Sequence, residues 1–92
     1  MNASYIQGRI CKFCKKNKIP YNNLIKMSES GWPDVMIVVN SLTYYFEVKF
    51  GRDKLSELQK YRIQQLNRDR KIAFVVKSYE DFAEIYKKLP KK

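Results

Sequence analysis

Asp34, Glu47 and Lys49 are the residues around which this sequence could build a reaction. The chain contains no histidine, so an imidazole general base, a His-bearing zinc site and a Ser-His-Asp triad are all excluded. Carboxylates, lysines and a bound cation remain. Asn40-Ser41 reads as a two-residue turn between two β-branched and aromatic runs, Asp34 to Val39 and Leu42 to Lys49. In that register Val39 faces Leu42, Ile37 faces Tyr44 and Val35 faces Phe46, which sets Asp34 directly opposite Glu47. Strand alternation then puts Lys49 on the same face as Glu47. Opposed residues have Cβ atoms roughly 4.5 to 5.5 Å apart, so two carboxylates there would repel and weaken the hairpin. A divalent cation between them turns the conflict into a site, and Mg²⁺ or Mn²⁺ suits hard oxygen ligands supplemented by water and substrate phosphate. Lys49 beside it could hold a scissile phosphate or favour ionisation of a nucleophilic water, the parts of metal-assisted phosphodiester hydrolysis. The plainer alternative is that Asp34 merely ends a strand and Glu47 pairs with Lys49 on a solvated face.

The elements that must position these residues follow from periodicity. Ser4 to Lys18 carries Ile6, Ile10, Phe13 and Cys14 at helical spacing, with Arg9, Lys12, Lys15 and Lys16 on the other side, and ends at Ile19-Pro20. Tyr21 to Lys26 could form a short strand before a polar loop, Met27 to Pro33. After the hairpin, Phe50 to Lys54 leads to a helix over Leu55 to Asp69 whose stripe is Leu55, Leu58, Arg62, Ile63 and Leu66, with Arg62 snorkelling. Ile72 to Val76 reads as a buried strand, and Ser78 caps a last helix with Phe82, Ile85, Tyr86 and Leu89 inside, before the stop at Pro90 to Lys92. The order is α-β-β-β-α-β-α, an α/β class with one small mixed β-sheet flanked by helices. Ninety-two residues suffice for a single domain, 1–92.

Cys11 and Cys14 form a C-x-x-C without further thiols to complete a zinc site, so two half-buried helix cysteines are the better reading. The longest unbroken apolar run, Val35 to Val39, is far short of the ~20 residues that span a bilayer. The start, Met1 to Ser4, lacks the regions of a signal peptide. The expectation is a soluble, cytoplasmic protein with no membrane partner.

Gly31-Trp32-Pro33-Asp34, followed after a strand-turn-strand by Glu47-Val48-Lys49, resembles the Pro-Asp...(Asp/Glu)-x-Lys nuclease superfamily. The continuation through Gly51, Leu55-Ser56 and Gln59, then a helix, the strand Ile72 to Val76 and Ser78, is similar to the virus-type replication and repair nuclease (VRR-Nuc) domain. The likeness covers nearly the whole chain, and the extension makes it much more specific than Pro-Asp...Glu-x-Lys alone. It implies a restriction-endonuclease-like core. It also implies that Asp34 and Glu47 bind Mg²⁺ or Mn²⁺ by carboxylate, with the Val48 backbone carbonyl as a further ligand and no small-molecule cofactor. Lys49 would be the catalytic lysine, and Gln59 would reach the active site to orient water or phosphate. Ser56-x-x-Gln59 also matches a capping box, which would fold Gln59 back onto its own helix. Its neighbourhood to the buried stripe favours the active-site role. Relatives resembling this chain usually carry a Glu early in the first helix; Ala3 stands there, which implies an incomplete metal shell and an impaired enzyme.

The net charge of +10 points to a polyanionic partner. Arg52 and Lys54 follow Lys49 closely enough to continue a phosphate track, joined by Ser56 and by Lys12 and Lys16 on the first helix. No base-reading element is evident, so DNA shape is the expected determinant. Trp32 could be core, interface or a base-stacking platform, the first two being favoured. Stand-alone members of the resembled family are homodimers that cut four-way (Holliday) junctions. An apparent surplus of aromatic residues, Tyr44, Tyr45, Phe46, Tyr79 and Tyr86, supports an interface. Two functional readings follow. One is a metal-dependent, structure-specific DNA endonuclease acting on branched DNA, a homodimeric Holliday-junction resolvase associated with the nucleoid of a bacterial or phage-infected cell. The other is a non-catalytic basic nucleic-acid-binding module with a degenerate nuclease site.

Overall fold

The protein, seen in a computed structural model, is described over residues 2–24, 27 and 29–90. The elements run α1 (Ala3–Lys16), β1 (Tyr21–Asn23), β2 (Val35–Val39), β3 (Leu42–Val48), α2 (Glu57–Leu66), β4 (Ala73–Val76) and α3 (Tyr79–Lys88). They form the expected order around a four-stranded mixed sheet in which β1, β2, β3 and β4 lie side by side. Of the expected strand Tyr21 to Lys26, Ile25 and Lys26 lie outside the described residues, as do Met1, Ser28 of the following loop, and Lys91 and Lys92 at the stop.

The hairpin has the register read from its turn: Val35 pairs with Phe46, Ile37 with Tyr44 and Val39 with Leu42. Asn40 (φ 52°) and Ser41 (φ 67°) both adopt left-handed backbone, so the turn twists in the sense that lets antiparallel strands close. β3 and β4 are parallel, with Glu47 beside Val75. Val35, Ile37, Val39, Tyr44, Phe46 and Val48 therefore share one face, where Ile6, Ile10 and Cys14 of α1 and Phe82 of α3 complete the core. Asp34, Glu47 and Lys49 belong to the other face, under α2.

Three expectations are corrected by packing. α1 starts one residue earlier, because the Asn2 side chain accepts from the Tyr5 amide at 2.9 Å and caps it. α2 is shorter at both ends: Ser56 is its N-cap. At the other end Asn67 Oδ1 accepts from Ile72 and Ala73 amides at 2.8 and 2.7 Å, spending on β4 a residue that could have continued the helix. The aromatic surplus is internal. Phe13 packs edge-on against Phe82 and Tyr86 with centroids at 5.7 and 5.1 Å, Phe46 packs on Phe74 and Phe82, and Tyr44 is 3 % exposed. Packing thus accounts for these rings without an interface. Among the described residues no helix is long and apolar enough to cross a membrane.

Candidate active site

Asp34 stands one residue before β2, at the point where the chain leaves the loop through buried Pro33. Its Oδ2 accepts from the Val48 amide at 2.8 Å, so a carboxylate side chain fastens the start of β2 to the end of β3. Glu47 lies at the corresponding level of β3 and is 2 % exposed. Glu47 Oε2 accepts from Gln59 Nε2 at 3.1 Å and pairs with Lys49 Nζ at 3.2 Å. Glu47 Oε1 is buried and has no hydrogen-bond partner among the described residues. The pairing of Glu47 with Lys49 in the plainer reading is present, but it is buried and not on a solvated face.

Burial alone penalises the charged form of both acids. It raises the Asp34 carboxyl above its ordinary range, against the opposing pull of the Val48 amide and Lys49. Burial first, and the Asp34 charge second, push the Glu47 carboxyl up to about 7, even with Lys49 alongside. A further positive charge beside these two facing acids would favour the ionised form of both. A cation fits this donor set: two carboxylates, one with a buried oxygen that lacks a donor among the described residues. Among the described residues no group of three or more His, Cys, Asp or Glu side chains gathers, so the protein offers a pair. One or two carboxylates plus water and substrate phosphate are what Mg²⁺ commonly accepts.

The two roles weighed for Gln59 coexist, because its amide has two ends. Oε1 accepts from the Ser56 amide at 2.9 Å while Ser56 Oγ accepts from the Gln59 amide at 3.1 Å, completing the capping box. Nε2 is left to donate to Glu47. The helix start is thereby used to aim a donor at the site, and Ser56, expected at the DNA, holds the helix end. Ser56→Ala is expected to cost about 1 kcal/mol of stability, read as an earlier urea midpoint. The Gln59 contact to Glu47 would remain.

α2 docks through Gln59, Arg62, Ile63 and Leu66, which keeps the last three members of the expected stripe, but Leu58 is left 45 % exposed. Arg62 does not snorkel. It is 7 % exposed, pairs with Glu29 at 3.2 Å, binds Gln65 Oε1, and lies over the Trp32 ring with 5.1 Å from its guanidinium carbon to the centroid. Trp32 in turn packs against Tyr45 at 5.8 Å. Gly31, at φ +87°, brings the backbone against α2, where an added Cβ would stand 2.8 Å from the Leu58 carbonyl oxygen. Arg62, Trp32 and Gly31 therefore hold the loop that delivers Asp34. Arg62 was missed as a positioning residue, although an arginine inside an apolar helical stripe was the signal.

Val48 keeps its side chain in the core and its amide on Asp34. Arg52 and Lys54 are exposed on the β3–α2 connection, which is turned by Asp53 Oδ2 accepting from the Phe50 amide at 3.1 Å. Lys12 and Lys16 are not brought to them: α1 covers the opposite face of the sheet, where both line a groove with Phe13 and Tyr79. Ala3 opens α1 and packs against the core cluster. Cys11 and Cys14 are free, Cys14 fully buried, and burial raises both thiols, Cys14 to about 12, with Cys11 adding to it. Burial thus favours the protonated thiol of both at neutral pH.

No known protein family, curated protein or solved structure matches the chain.

Proposed function

We propose that the chain is a metal-dependent, structure-specific DNA endonuclease with a restriction-endonuclease-like core, a VRR-Nuc-type member of the Pro-Asp...(Asp/Glu)-x-Lys superfamily acting as a homodimeric Holliday-junction resolvase. The observation that carries this is the buried carboxylate pair Asp34 and Glu47 with Lys49 and Gln59 converging on it, and an oxygen of Glu47 that no donor among the described residues satisfies. A bound Mg²⁺ or Mn²⁺ would supply Lewis-acid activation of water and neutralise charge building on the phosphate. Asp34 and Glu47 would hold it. Gln59 keeps Glu47 oriented, and Lys49, 14 % exposed, can turn from Glu47 to an incoming phosphate oxygen. Arg52 and Lys54 continue the positive path outward. A two-fold dimer suits a junction with two-fold symmetry.

A labelled four-way junction incubated with Mn²⁺ or Mg²⁺, against chelator and against Asp34→Asn, tests the reading. Metal-dependent cutting that disappears in Asp34→Asn supports it. The second reading, a non-catalytic DNA-binding module, is favoured by Ala3 and by the gathering of only two carboxylates among the described residues. Junction binding without cutting in either metal, even after Ala3→Glu, selects that module. Replacing Arg52 and Lys54 together by Ala is expected to weaken junction binding and to make the slope of log affinity against log salt shallower by about 2, measured by anisotropy.

A further inference from the structure

A second cavity, of about 350 Å³, opens on the core face of the sheet, opposite the face that bears Glu47. Tyr44, Phe74, Ile85 and Leu89 give it apolar walls. Arg70, Lys71 and Lys88 stand around it, and among the described residues no carboxylate lines it. Among the described residues none of these three cations takes part in an ion pair; Lys71 lies only over the Phe74 ring, 5.5 Å from its centroid. Three like charges converging on one opening raise the local potential and concentrate anions there. Tyr44 is 3 % exposed and lines the cavity, so its phenol is the polar group of an otherwise apolar wall.

We propose that this cavity binds a small anion with an apolar body, the body between Phe74 and the Ile85–Leu89 side of α3 and the negative group facing Arg70, Lys71 and Lys88. The Tyr44 hydroxyl donates to it. The volume sits at the low end of the ~300 to 1,000 Å³ of small-molecule sites, which suits one ring system or a medium acyl chain. The hairpin turn buttresses the wall, since Asn40 Nδ2 donates to the Pro90 carbonyl at 2.9 Å and fixes the end of α3. Because the cavity and the Asp34–Glu47 pair lie on opposite faces, neither assignment depends on the other.

The test is titration of the whole chain with anilinonaphthalene sulfonate, followed by blue-shifted emission. One saturable site per chain is expected. Affinity should fall about tenfold or more in the double variant Lys71→Glu/Lys88→Glu and about threefold to tenfold in Tyr44→Phe, the latter keeping the ring and the core. Decanoate and thymidine monophosphate are the competing anions, with decanol as the neutral control. Displacement by decanoate assigns an aliphatic acid, and displacement by thymidine monophosphate assigns a nucleotide. Displacement by decanol as effective as by decanoate, displacement by neither anion, or dye affinity unchanged in both variants would overturn the proposal. Should the double variant fail to fold, Tyr44→Phe and the competition series still decide it.

Discussion

Lys49→Met is expected to reduce the rate of metal-dependent junction cleavage by about 10²- to 10³-fold, the usual loss when one preorganised charge at a developing anion is removed. Methionine keeps most of the stem, so the packing beneath α2 is retained while the ammonium is lost. The same change should also destabilise the protein, and the size of that effect should depend on pH. Lys49 is the cation paired with Glu47, 3.2 Å away, and its removal leaves a buried carboxylate beside Asp34. Breaking a buried pair from one side costs up to about 3–5 kcal/mol when the remaining charge cannot escape. Glu47 can escape by taking a proton, because burial and Asp34 already hold its carboxyl at about 7 and losing Lys49 raises it further. Near pH 6 the variant should therefore unfold at almost the wild-type urea concentration, and near pH 8 well below it. A cleavage rate within threefold of wild type, with folding intact, would remove Lys49 from the chemistry.

The hairpin that makes this possible was legible because its determinants are local. Asn40-Ser41 fixes the turn, β-branched alternation fixes the faces, and the pairing of Asp34 with Glu47 follows from counting outward. What could not be counted was the helix above it. The apolar pattern of α2 is weak, and its docking is decided by polar partners distant in sequence: Glu47 for Gln59, and Glu29 and Trp32 for Arg62. Hydrophobic periodicity ranks Leu58 above Arg62 for burial, while the need to neutralise and pack the Asp34 loop reverses them. The aromatic residues show the same limit, since composition records their number but not that Phe13, Phe46, Phe82 and Tyr86 meet between α1, the sheet and α3. Likewise, the basic residues of α1 and those after β3 have the same sign in sequence and opposite sides of the sheet in space.

Glu47→Gln is expected to abolish cleavage and to make the protein more stable, so that activity and stability move in opposite directions. The folded-state carboxyl is raised to about 7 from an ordinary value of 4.5, which means that folding disfavours its ionised form. Below the ordinary value the acid is protonated in both states and the penalty is absent. As pH rises through the window from 4.5 to about 7, the unfolded chain ionises first and stability falls. Above that window the penalty is complete, of the order of 3 kcal/mol for a shift of this size in a group so nearly enclosed. Glutamine removes it: the amide can donate to Asp34 where the second carboxylate repelled it, and Lys49 keeps Asp34 as a neighbouring charge. Urea unfolding without divalent metal should show Glu47→Gln ahead of wild type at pH 8 and level with it at pH 4.5. Mg²⁺ or Mn²⁺ should then raise the wild-type midpoint at pH 8, since a ligand held only by the folded state stabilises it, and leave that of Glu47→Gln almost unmoved. A variant less stable than wild type at pH 8 would mean that the pairing of Glu47 with Lys49 outweighs the repulsion from Asp34. The carboxylate pair would then be a structural feature in no need of a cation.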